Sequence, residues 1–117
     1  MATLTPREIT RAGIDLSTGG GGFVAASAGG DKFANTGREF VYFTNLSGGT
    51  ITVTVDVQPD TIDGLAVANK TLAVLPATNA IMGPFPPGNY NDASGFTNLS
   101  YSGVASLTLQ VFKLPVP

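Results

Sequence analysis

Residues 38–57, Arg-Glu-Phe-Val-Tyr-Phe-Thr-Asn-Leu-Ser-Gly-Gly-Thr-Ile-Thr-Val-Thr-Val-Asp-Val, constrain the fold more than any other stretch of the chain. The second half alternates without a break. Ile51, Val53, Val55 and Val57 point one way, and Thr50, Thr52, Thr54 and Asp56 the other, which is the period of a half-buried strand. The first half is apolar on both faces, with Phe40 and Tyr42 on one and Val41 and Phe43 on the other. A strand of that kind is either central in a sandwich or covered by a partner. Core placement and subunit contact are therefore both open for Val41 and Phe43. Residues 45–49 read as the turn that joins the two arms into a hairpin.

Turn chemistry divides the rest of the chain into short extended pieces. Residues 23–28 form a strand candidate that ends at Gly29-Gly30. Residues 31–37 read as a loop whose single aromatic, Phe33, plugs the end of the core. Pro59 and the Asp63-Gly64 pair mark a further loop. Strands follow at residues 70–75, stopped by Pro76, and at 78–82. Residues 83–88, Gly-Pro-Phe-Pro-Pro-Gly, exclude helix and central strand and predict a rigid loop. Tyr90 is the one large side chain in the segment after it. Residues 96–101 and 104–113 make the last pair, with Ala105, Leu107, Leu109 and Val111 facing in. The expected fold is all-β: a single-domain β-sandwich, jelly-roll-like, of about seven or eight strands. At 117 residues the chain is one domain with enough length to bury a core.

The N-terminus is organised differently. Thr5-Pro6-Arg7-Glu8 fits a helix capping box, but residues 9–16 are short and broken by Gly13. Residues 4–16 therefore read as an arm, extended or with one turn of helix. Residues 18–22, Thr-Gly-Gly-Gly-Gly, follow as a flexible joint. The expected division is an arm and Gly-rich joint over 1–22 and a sandwich over 23–117. The glycine run has no preceding strand, following helix or Lys, so it does not read as a phosphate cradle.

Composition narrows the chemistry. The chain has no Cys and no His, which removes disulfides, thiolate nucleophiles, the commonest metal ligand and the commonest general base near neutral pH. No catalytic residue, cofactor or metal is expected, and the chain does not read as an enzyme. Charged residues make up 12%, with six basic and eight acidic side chains and a net charge of −2. That is about half the usual charged share, as for a surface rich in Ser, Thr and Gly or covered by neighbours. The basic residues are scattered, so no stripe for direct nucleic-acid binding is visible. No run approaches the ~20 apolar residues that span a bilayer, so no membrane partner is expected. No signal peptide is read at the N-terminus.

Four carboxylates, Asp56, Asp60, Asp63 and Asp92, are the candidates for chemistry. Asp60 and Asp63 share a loop, but turn formation explains them better than Ca²⁺ binding, because the spacing and bidentate Glu of an EF-hand are missing. The Asn-x-Ser/Thr triplets at Asn45, Asn69 and Asn98 read as chance in a chain this rich in those residues. Without Trp, a sugar-binding cleft is poorly supported. Among the aromatics, Phe85 and Tyr90 sit in the proline-rich loop and are expected to be contact residues rather than core.

Taken in order, several pieces resemble a family of small tailed-phage virion proteins. They are Gly30-Asp31-Lys32-Phe33-Ala34-Asn35-Thr36-Gly37-Arg38, a strand ending near Asn45, a Thr/Val-alternating strand, Asp63-Gly64-Leu65-Ala66-Val67, and Gly83-Pro84-Phe85-Pro86-Pro87 with Tyr90-Asn91-Asp92. The resemblance covers roughly residues 29–113. It implies a head protein of the cement (decoration) kind, made in the bacterial host cytoplasm and carried on the capsid surface of the virion. Such a protein binds the major capsid protein and itself, usually as a homotrimer, and ties neighbouring capsid subunits together. Another head or tail component is the alternative within the same class, and a carbohydrate- or receptor-binding module the alternative outside it. Together with the arm, this makes Leu4, Ile9, Val41, Phe43, Phe85 and Tyr90 the candidate contact residues with capsid or sister subunits.

Overall fold

The computed structural model describes residues 1–14, 23–58 and 61–115. In chain order the elements begin with β1 (Ala2–Leu4), β2 (Arg7–Glu8), β3 (Val24–Ala25), β4 (Asp31–Ala34), β5 (Glu39–Asn45) and β6 (Ile51–Val55). They continue with β7 (Thr61–Ile62), β8 (Leu65–Ala66), β9 (Lys70–Val74), β10 (Thr78–Met82), α1 (Pro87–Tyr90), β11 (Phe96–Tyr101) and β12 (Leu107–Lys113). A first sheet has the order β1-β4-β11-β6-β9 and a second the order β10-β5-β12-β2, with β3 also on β12; β7 and β8 form a separate ribbon. The two sheets pack face to face as an all-β sandwich. Phe33, Leu99, Val53, Val55 and Val74 line the inner face of the first, and Val41, Phe43, Leu107, Leu109 and Val111 that of the second. The strand count exceeds the expected seven or eight, because pieces of two or three residues are too short to show a period.

Wiring is the main departure from the sequence reading. β5 and β6 are not a hairpin: β5 pairs with β10 and β12, while β6 pairs with β9 and β11. Residues 46–50 carry the chain from one sheet to the other. The buried Asn45 side chain organises that crossing, donating to the carbonyls of Gly49 and Val74 at 2.9 Å and accepting from Ser47. β11 and β12 likewise lie in different sheets rather than forming a final pair. Successive strands that alternate between sheets are the connections of Greek-key and jelly-roll sandwiches.

Three local readings also change. Residues 31–34 are a strand, not a loop, with Asp31 and Phe33 both fully buried; an inward carboxylate disguised the alternation. Residues 87–90 form one helical turn despite the proline, because Pro87 sits at the first helical position, where its missing N–H is not needed. The arm is extended and built into the fold. β1 runs parallel to β4 at the edge of the first sheet, and β2 runs parallel to β12 in the second. Residues 2–8 therefore close over both sheets. The expected joint and the boundary at residue 22 lie outside the described residues.

Candidate interaction surface

The two sheets differ on their outer faces. On the first, the outward positions carry Lys32, Asn98, Ser100, Thr52, Thr54 and Thr71, with one aromatic, Phe96, whose ring lies 4.7 Å beneath the Lys32 ammonium. The second carries aromatics. Along β5, Glu39, Val41, Phe43 and Asn45 are buried while Phe40, Tyr42 and Thr44 face outward and are half-buried. Phe112 of β12 lies opposite Phe40, the rings stacked at 5.5 Å and 29°, and is itself only 3% exposed beneath this face. Tyr42 meets the edge of Phe23 at 5.4 Å. Ile81 of β10, opposite Tyr42, is 59% exposed. With Ile9 and Ile14 from the N-terminal segment, these residues line an open groove of about 300 Å³. Apart from the Tyr42 hydroxyl, every lining side chain is hydrocarbon, so the groove offers apolar contact and almost no hydrogen bonding. Contiguous apolar surface of this kind marks interaction sites.

Of the six expected contact residues, only Ile9 lines this groove. Val41 and Phe43 are 0% exposed and belong to the core, which removes them as contacts; they occupy the inner face of the doubly apolar strand. Phe85 is 3% exposed, also a correction. Its loop folds back over the end of the sandwich, so proline content did not keep it at the surface. The Phe85 ring packs against Phe33 at 6.0 Å, and Tyr90 covers it edge-on at 5.4 Å. Tyr90 and Leu4 are half-buried against the core. Sequence reasoning missed Phe40, Tyr42, Ile81, Phe112 and Ile14. The doubly apolar strand was the available signal for the first two, but which face pointed out depended on its sheet partners.

Two of the pieces that carry the resemblance, around Asn35 and around Phe85 and Asn91, meet at one end of the sandwich and lock it. Asn35 donates to the Phe85 carbonyl at 2.9 Å and to Asn91 Oδ1 at 2.8 Å, while Asn91 donates back to the Asn35 carbonyl at 2.8 Å. Gly83, at φ +134°, lies so close to β5 that a Cβ there would meet the Phe40 Cβ at 2.8 Å and its Cα at 2.9 Å. The Asp92 carboxylate accepts from the Asn98 side chain and from the Phe96 and Ser94 amides. These bonds, Asn98 first, hold its pKa below the ordinary 3.8. On the inner side, the Tyr101 hydroxyl donates to Asp31 at 2.7 Å. Burial, reinforced by this bond, pushes the Tyr101 phenol well above its ordinary value.

Among the described residues, no three His, Cys, Asp or Glu side chains gather as a metal site would require. Asp63 and Gly64 both have positive φ and form the turn between β7 and β8, as their sequence suggested; Asp60 lies outside the described residues. No described helix is long and apolar enough to cross a membrane. Comparison with protein-family models, curated proteins and solved structures finds no match for this chain.

Proposed function

We propose that this chain is a capsid cement protein of a tailed phage, which binds the outside of the assembled head and bridges major capsid protein subunits. The observation that carries the reading is the apolar outer face of the second sheet. Phe40, Tyr42 and Ile81, over the buried Phe112, present there a surface suited to lasting contact with another protein. The motif resemblance over residues 29–113 supports the same reading, as does the sparse charge. A cement protein performs no catalysis; its effect is mass action. A protein that binds the assembled shell and not its free subunits stabilises the shell by RT ln(1 + [L]/Kd). Covering the exposed part of a side chain such as Ile81 contributes only about 1 kcal/mol. Attachment at several points, as a homotrimer provides, multiplies modest contacts into near-permanent occupancy.

The test is direct. Purified protein added to expanded capsids should bind them and raise the temperature at which they disrupt. Capsids equally fragile with and without it would overturn the proposal. Light scattering coupled to size exclusion checks the trimer separately.

A further inference from the structure

The two edges of the second sheet are finished differently. On the β12 side, β2 and β3 cover the edge in two short pieces. On the other side β10 runs for five residues, Thr-Asn-Ala-Ile-Met, and among the described residues no strand pairs with its far edge. The phase of the ladder fixes what that edge presents. Leu46 donates to Ser106 and Leu114 to Arg38, so the even-numbered residues of β5 spend their backbone groups on β12 and the odd-numbered ones face β10. By register Thr78, Ala80 and Met82 bond to β5, while Asn79 and Ile81 direct their N–H and C=O groups outward. An open edge is a template for a further strand, and proteins that keep one unpaired guard it with charge, Pro or a bulge. β10 has no charged residue and no Pro, and its register with β5 is unbroken. By contrast β9, the open edge of the first sheet, carries Lys70, and β1 is only three residues long.

We propose that β10 pairs antiparallel with β10 of a second copy of this chain, about a twofold axis at Ala80. The argument is self-complementarity. Residues that point their backbone groups outward must meet one another, and a twofold register does this by setting Asn79 of each copy opposite Ile81 of the other. Each such pair exchanges both of its N–H···O bonds, and the overlap takes in all five residues of the strand. Ala80 then meets Ala80 in the position without hydrogen bonds, where side chains approach most closely and Cα atoms lie about 4.5 Å apart. A methyl group fits that approach, and both methyls face the interior, half-buried against the core. No charge on either strand opposes the contact. The axis stands perpendicular to the sheet, so the outer faces of the two copies lie on the same side and their apolar grooves come together there. This inference does not rest on the cement reading, and a chain that failed to bind capsids would leave it standing. A homotrimer built on other surfaces is a separate contact, told apart by the substitution that removes each.

The experiment uses the full chain. In sedimentation equilibrium at concentrations up to about 1 mM, which reaches weak pairs, the parent should attain twice the mass of Asn79→Pro. Proline there removes an outward N–H that the ladder with β5 does not use, as edge strands tolerate. The variant should therefore keep a dispersed ¹H–¹⁵N spectrum; Asn79→Lys, which puts a charge on the edge, serves if it does not. Hydrogen exchange supplies an alternating signature. The amides of Ala80 and Met82 should be protected in parent and variant alike, while that of Ile81 should exchange roughly tenfold or more slowly in the paired parent. Equal masses for parent and variant overturn the proposal, and so does any association that both retain through another surface. Protection of Ile81 that appears only when capsids are added assigns the edge to a capsid strand and overturns the self-pairing.

Discussion

The outer faces of the two sheets were built under different constraints. Both sheets bury Val, Leu and Phe inward. Outward, the first shows Thr, Ser, Asn and Lys with the single aromatic Phe96 under Lys32, while the second shows Phe40, Tyr42 and Ile81 over a buried Phe112. The first face is finished by water. The second carries an open apolar groove, and the contrast lies within one small domain of common composition. Inward positions of the two sheets are interchangeable in kind; the outward positions separate a mostly polar face from a mostly apolar one.

That contrast can be broken by substitution. The largest effect belongs to the shared interior: Phe43→Ala should cost about 3–5 kcal/mol in urea unfolding, whereas Ile81→Ala on the opposite face should stay within about 0.5 kcal/mol. Equal effects at the two positions would erase the distinction between faces. Gly83→Ala should come next, destabilising by about 2–5 kcal/mol, since the new Cβ presses on Phe40 at a positive φ.

The contact role is sharpened by a pair of charges. Ile81→Lys should weaken attachment to capsids by about 2 kcal/mol, roughly thirtyfold, with little change in Tm. Thr54→Lys on the outer face of the first sheet should leave both quantities unchanged. Attachment lost equally in both variants would mean that the second face is not the one that binds.

Two smaller effects concern pH. The Tyr101 phenol is raised by burial and by its bond to Asp31. Its contribution is therefore fully present below the unfolded value of 10.0 and is lost as pH rises through the higher folded value. Unfolding curves from about pH 9 to 11 should decline less steeply in Tyr101→Phe than in the parent. The smallest effect is at Asp92. Its pKa is lowered, so its contribution is present above 3.8 and is lost as pH falls through the folded value. Acidification should shift the amides of Ser94 and Phe96, and Asp92→Asn should flatten that response.

Much of the strand content was legible because alternation is local. β6, β9, β10 and β11 fall within a residue or so of where Thr/Val alternation and Gly/Pro punctuation put them. β4 was hidden by Asp31, a turn-forming type that here points inward beneath Tyr101. Phe85 was misplaced because its loop was judged by proline content, while its position depends on Asn35 and Asn91, distant in sequence and adjacent in space. Ile9, expected as a contact residue for the reach of the arm, lines the apolar groove because β2 pairs with β12.

By itself the sequence determined an all-β chain, its main strands, its turns, and a reading in which side-chain chemistry has no obvious nucleophile or base. Those properties depend on residues a few positions apart. The tertiary structure alone decided that β5 and β6 part company into different sheets, that Phe40 and Tyr42 face outward, and that the buried Gln110 carboxamide has no hydrogen-bond partner among the described residues. Strand pairing joins residues far apart in the chain, and the side-chain period of two leaves both faces of an apolar strand equivalent until its neighbours are chosen.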